Sequence, residues 1–152
     1  ASYGYFAGGT EGPSGLSTVN RIDYSSDTGT TPTKGPLSSA RESLVAFGNS
    51  SYGYFGGDYP GSITTIDRID YSNDTATASV KGPLDEARRS SGGVASASGY
   101  GYAMGGTPSS SPSSSSISRV EFANDTATAS PKGNLYINTT GFGAVSAGDN
   151  GL

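Results

Sequence analysis

Arg21-x-Asp23, Arg68-x-Asp70 and Arg119-x-Glu121 set a guanidinium and a carboxylate two positions apart, hence on one face of an extended strand. A unique pair of that kind could orient a substrate or move a proton. This pair is written three times, which points instead to ion pairs bracing neighbouring units. Asp70, Asn73 and Asp74 gather the oxygen donors that calcium takes, yet the segment lacks the glycine spacing and distal glutamate of the common calcium loop. A structural turn is the expectation there, and no metal is assigned. Asn-Asp-Thr at 73–75 and 124–126, Asn49-Ser50-Ser51 and Asn138-Thr139-Thr140 match the N-glycosylation acceptor pattern. Asn and Ser are also turn formers, and the turn reading is preferred. Glu11, Asp58 and Asp149 are carboxylates that a glycosidase could pair. No spacing selects two of them, so no catalytic residue is assigned.

Composition narrows the chemistry further. The chain has no His and no Cys, which removes most nucleophile–base pairs, thiolate sites and disulfides; no cofactor is implied. A net charge of -4 argues against nucleic acid, whose phosphates call for a Lys/Arg surplus. No apolar run approaches the roughly 20 residues of a membrane span. Only 32% of the residues are apolar, but ten Tyr and five Phe, with that small charge, separate the chain from disordered sequences. The chain begins at Ala1 without a Met, which fits Met removal, processing or excision alike.

The elements that must hold these residues recur. Residues 69–84 read IDYSNDTATASVKGPL, preceded at 22 by IDYSSDTGTTPTKGPL and followed at 120 by VEFANDTATASPKGNL. A period near fifty residues implies stacked units, and repeats start near 3, 52 and 100 of a single repeat domain spanning 1–152. Each opens on YGYFAGG (3–9), YGYFGGD (52–58) or YGYAMGG (100–106), an aromatic strand running into a Gly-Gly turn. A β-branched strand follows: STVNRIDY (17–24), TTIDRIDY (64–71), SISRVEF (116–122). Then comes a short turn and a third strand, the pair forming a hairpin. The interval from Tyr24 to Lys34, Tyr71 to Lys81 and Phe122 to Lys132 is always ten residues, as a fixed register requires. A fourth strand of small residues is expected in ESLVAFGN (42–49), RSSGGVASAS (89–98) and TGFGAVSAGD (140–149). Between the Gly-Gly turn and the second strand the three copies diverge, with TEGPSGL, DYPGSI and TPSSSPSSSSI. Fixed strands with free loops is the division expected when loops carry function. SSSPSSSSIS (109–118) reads as a flexible loop. No helical period is present, and PLDEARR is stopped by Ser90, Ser91, Gly92 and Gly93.

Gly-Gly after an aromatic strand, then a strand ending in Asp-Tyr, a turn, and later Pro-Leu with Ala-Arg, resembles the kelch repeat. The usual kelch Trp is missing, with Thr31, Ala78 and Ala129 near its place, and the third copy has Asn138-Thr139 for Ala-Arg. The Gly/Ser/Thr-rich phrase looks most like repeats of virion structural and tail-fibre proteins of marine bacteriophages. The resemblance implies three four-stranded blades of a β-propeller. Small fourth-strand residues such as Gly92, Gly93, Ala95, Ala97, Gly141, Gly143 and Ala144 suit the innermost position.

In that arrangement the first blade lacks its own innermost strand, which 140–149 would supply. Three blades closing alone would need extreme wedge angles, since propellers usually have four to eight. The expectation is therefore half of a six-bladed propeller, completed by strand exchange in a homodimer. The rivals are a fragment of a longer propeller and an open fibre. The function expected is a non-enzymatic structural or adhesive module of a virion or extracellular assembly, binding a surface glycan or protein partner. A glycan-processing enzyme on the same scaffold is the alternative. The resemblance places Arg41, Arg88, Asp58 and Tyr59 on the loop face, and Thr107, Ser109 and Ser110 join them from the divergent third loop. For the two arginines a purely structural role capping the blade is the slightly preferred reading.

Overall fold

The computed structural model describes residues 2–59 and 61–146. Those residues are all-β, with several antiparallel sheets, two 3-10 turns and no α-helix. Among the described residues no helix is long and apolar enough to cross a membrane, and their sheets do not close into a barrel.

Two of the sheets are four-stranded meanders. In one, β5 (Val45–Gly48), β6 (Tyr52–Gly56), β7 (Ile66–Asp70) and β8 (Ser79–Lys81) lie in chain order. In the other, β10 (Gly92–Ser96), β11 (Tyr100–Met104), β13 (Ser114–Glu121) and β14 (Ser130–Thr139) do the same. Equivalent residues hold equivalent register: Tyr54 faces Arg68 across β6–β7, and Tyr102 faces Arg119 across β11–β13. The first repeat departs from this pattern. Only β1 (Tyr3–Ala7) and β4 (Val19–Asp23) pair as strands, and the outer strand shrinks to one bridge, Asn20 to Thr33. Pro32 stands where Ser79 and Ser130 stand in the later copies, and proline has no N–H for a ladder. A full outer strand was expected in every repeat and the first has only that bridge; as expected, among the described residues the first also has no innermost strand beside β1.

Short pairs stitch the repeats together at the loops: β9 (Arg88–Arg89) with β12 (Thr107–Pro108), and the Glu42–Tyr59 bridge at the equivalent place one repeat earlier. β2 (Thr10–Glu11) and β3 (Ser14–Gly15) form a small hairpin in the first loop.

The two hydrophobic cores lie between sheets. Val19 and Leu37 of the first repeat meet Phe55, Ile69 and Ala78 of the second. Val45, Tyr54, Ile66 and Leu84 of the second meet Ala103, Val120 and Ala129 of the third. β6 is covered on both faces, so adjacent Tyr54 and Phe55 are both buried, each such burial being worth roughly 1.5–3 kcal/mol. Phe6, the counterpart of Phe55, faces no sheet and is 58% exposed.

Two expectations need correction. The segment 109–118 is not a loop throughout, because Ser114 to Ser118 run in β13, paired with a β14 that continues to Thr139. Asn134 replaces the proline of KGPL and restores an N–H, so the outer strand does not stop there. The segment expected as a third inner strand, 140–149, lies partly outside the described residues. Its described part, 140–146, has no regular strand pairing and runs alongside β10, with Ser146 Oγ donating to Ala95 O at 2.6 Å.

Candidate functional site

The polar residues that recur in every copy converge on the seams between sheets. At the first seam, Tyr5 Oη and Arg21 Nη1 donate to Asp74 Oδ2 at 3.0 and 2.8 Å, and Lys34 Nζ sits 3.3 Å from Oδ1. At the second, Tyr54 Oη and Arg68 Nη1 reach Asp125 Oδ2 at 3.0 and 2.7 Å, with Lys81 Nζ 3.5 Å from Oδ1. One tyrosine, one arginine and one lysine thus grip an aspartate from the turn of the next repeat. The backbone joins in, since Gly35 and Gly82 donate their N–H to the carbonyls of Asp74 and Asp125, both at 2.8 Å. The chains approach so closely that a Cβ on Gly35 would run into Ala76 O, and one on Gly82 into Ala127 O. Aromatic rings seal each seam, Tyr5 stacking on Tyr71 at 4.7 Å and Tyr54 on Phe122 at 5.1 Å.

The electrostatics follow from this geometry. Burial pushes the Asp74 carboxyl up, but hydrogen bonds from Tyr5 and Lys34 and the charges of Lys34 and Arg21 outweigh it and hold the group below the ordinary carboxylate range. Burial, with Asp125 adding, raises the Tyr54 hydroxyl, and Tyr71 is pushed up to about 12, mainly by burial. Each arginine also lies over a tyrosine ring of its own sheet: Arg21 on Tyr3 and Arg68 on Tyr52 at 4.1 Å, Arg119 on Tyr100 at 4.4 Å.

The expected Arg-x-Asp bracing therefore takes a different form. Arg21 and Arg68 brace the neighbouring sheet, but their carboxylate comes from that sheet's turn. Asp23 and Asp70 instead turn back to cap their own hairpins, accepting from Ser25 and Ser72, which lowers both carboxyls. Asp70 and Asp74, two of the oxygen donors considered for calcium, consequently point at different partners.

Arg41 and Arg88 are 1% and 0% exposed. Arg41 pairs with the buried Asp67 and reaches Thr65 O at 3.2 Å. Arg88 bonds Gly105 O, Ser116 O and the Ser118 hydroxyl at 3.1, 3.2 and 2.8 Å, with Glu86 at 3.2 Å. Burial lowers the Arg88 pKa, although an arginine stays charged in any case. Both guanidiniums are struts tying a loop to the neighbouring strands, and neither stands on the accessible loop face.

The other expected residues do reach the surface. Asp58 Oδ1 accepts from Glu42 N at 3.1 Å, and Tyr59 is 46% exposed beneath the Arg89 guanidinium at 4.7 Å. Arg89 contacts Ser62 Oγ at 3.4 Å, and Ser62 Oγ donates to Thr107 O at 3.2 Å. Asp58, Tyr59 and Thr107 are thus linked across two repeats, with Ser109 and Ser110 in the exposed turn beyond. Thr107 Oγ1 donates to Pro112 O at 3.2 Å, which folds that turn back. A separate shallow groove of about 300 Å³ lies against β1, lined by Tyr5, Phe6, Ala7, Leu44, Ala46 and Phe55.

No family model matches the chain, and no curated protein matches it.

Sequence reasoning read Asp74 and Asp125 as parts of structural turns and missed their place in the seams. Their signal was present, because the Asp of SSDT, SNDT and ANDT repeats together with the Tyr of YGY and the Lys of KG.

Proposed function

We propose that the chain is a non-enzymatic structural or adhesive module made of three kelch-like units of a β-propeller. The observation that carries this reading is the seam: the same three-donor grip recurs at Asp74 and Asp125 while the loops beside it differ completely in sequence. A frame so repeated suits presentation of loops to a partner. The recurring carboxylates support a non-catalytic role, because Asp74 is held ionised by its donors, the opposite of what a general acid needs.

A second copy completes the ring in this reading. Among the described residues β1 has one open edge, whereas β6 and β11 pair on both sides. Segment 141–146 follows the path of β5 and β10 one repeat on. Ser43, Ser90 and Gly141 all take left-handed φ values, 56°, 53° and 65°. Gly141 N donates to Ser90 O just as Ser90 N donates to Ser43 O. Val145, the counterpart of buried Phe47, is 90% exposed. Laid against β1 of another copy, this segment fills the groove beside Phe6 and Ala46, and two chains make six blades.

The partner presented to the loops is a surface glycan or a protein neighbour of a virion or other extracellular assembly, with Asp58, Tyr59, Thr107, Ser109 and Ser110 on the contacting face. The likeness of the repeated phrase to phage virion repeats supports the virion setting. Binding to a glycan panel tests the reading, comparing the native chain with one whose exposed turn 109–113, between β12 and β13, is replaced by a Gly/Ser linker. Retention of a glycan class by the native chain and its loss in the replacement is expected. Glycan cleavage abolished by Asp58→Asn would replace the adhesive reading with the glycosidase alternative.

A further inference from the structure

The first seam uses Tyr5, Arg21 and Lys34; the second uses Tyr54, Arg68 and Lys81; the third repeat carries the same set as Tyr102, Arg119 and Lys132. Among the described residues no carboxylate meets this third set. Its surroundings have the character of a half-built seam. Lys34 and Lys81 are half-buried, but Lys132 is exposed; Gly35 and Gly82 are buried, but Gly133 is exposed. A Cβ at Gly133 would meet nothing within 4 Å, although the same position elsewhere admits only glycine beside a carbonyl. Arg119 is already stacked on Tyr100 in the pose that Arg21 and Arg68 hold while gripping an aspartate.

The complementary half stands at the other end. Asp27 occupies the place of Asp74 and Asp125 in its turn, and it is exposed without an ion pair among the described residues, whereas those two are 8% exposed. Tyr24, the counterpart of Tyr71 and Phe122, is 61% exposed, with no ring stacked upon it among the described residues. One end of the molecule offers two cations and a phenol around an empty carboxylate position. The other offers that carboxylate and the aromatic ring that would stack beside it.

We propose that Tyr102, Arg119 and Lys132 of one chain grip Asp27 of a second copy, with Gly133 passing its turn and Tyr102 stacking on Tyr24. This deepens, and rests on, the propeller reading above: strand exchange holds the inner edge of the joint, and the charged grip fixes its outer edge and its register. Complementary charge also makes the joint head-to-tail, because like ends repel.

Sedimentation velocity on single variants and their mixture tests the grip. Asp27→Lys and Arg119→Glu should each weaken self-association by about tenfold or more, since both joints of a pair then bring like charges together. Mixed in equal amounts they should associate again, because one joint is then native and the other charge-reversed. Gly133→Ala, which touches nothing in its own chain, should weaken association with the fold intact by circular dichroism. Single variants that associate as tightly as the native chain would overturn the grip and leave strand exchange standing. A native chain that stays single at every concentration would overturn both the grip and the two-copy reading. Native assemblies larger than two that the variants dissolve would support the grip and replace the closed ring with an open filament.

Discussion

Tyr54, Arg68 and Lys81 close on Asp125, while Tyr102, Arg119 and Lys132 in the next repeat have the same spacing and no carboxylate among the described residues. The contrast separates what a repeat does alone from what it does for its neighbour. β11 and β13 keep their register and Arg119 keeps its stacking ring, so the sheet forms without the grip. Burial of the lysine and glycine, and of the receiving turn, occurs only where the next sheet is present. The repeated polar residues therefore belong to the seams, and stability of this chain should depend on them unequally from one repeat to the next.

Breaking the closed seam should have the largest effect. Asp125→Ala leaves the Tyr54 hydroxyl and two cations without their acceptor, which costs about 2–3 kcal/mol, below a fully buried pair because Arg68 and Lys81 keep some water. Asp27→Ala in dilute solution should stay within about 0.5 kcal/mol of the native chain. Urea unfolding of the two variants makes the comparison.

Gly82→Ala is next. Its Cβ would strike Ala127 O, so a loss of about 1–3 kcal/mol is expected. Gly133→Ala meets no neighbour and should be neutral or more stable by up to about 1 kcal/mol, through the unfolded chain, again in dilute solution. Equal losses at both positions would erase the distinction between closed and open seams.

Acid should dissolve the seam at Asp74 in a defined direction. Its folded pKa lies below the unfolded value of about 3.9, so its contribution is complete above that pH and fades as pH falls through the folded value. The gap in melting temperature between the native chain and Asp74→Asn should therefore be constant near neutrality and narrow below about pH 4. A gap that widens in acid would contradict the assignment.

The smallest effect concerns the rings. Tyr71→Leu loses the stack on Tyr5, worth about 0.5–1.5 kcal/mol, whereas Tyr24→Leu in dilute solution loses no ring contact and should change little.

Much of the fold was legible because repetition amplifies weak local signals. The ten-residue interval from Tyr71 to Lys81 marked a hairpin, and β7 and β8 form it. The alternation in YGYFG marked a strand, and β6 is one. The seams were not legible in the same way. Asp74 sits in a turn-forming tripeptide, and nothing local distinguishes a turn carboxylate facing water from one received by a sheet 53 residues away. For Arg41 and Arg88 the sequence left a loop-face role open beside the preferred blade cap, because burial of a guanidinium depends on partners such as Asp67 and Ser118, which lie on strands far along the chain. The Ser-rich segment read as a loop by composition, yet β14 supplies a partner strand that composition cannot reveal. The surface residues Asp58, Tyr59 and Thr107 lie together across two repeats, and the stitching of β9 to β12 brings them there.

Sedimentation equilibrium of the native chain addresses the central claim most directly. A mass of about twice 15.2 kDa, falling toward one chain when Arg119 is replaced by Glu, is the result that open, complementary ends require. A single-chain mass of 15.2 kDa at every concentration would contradict it.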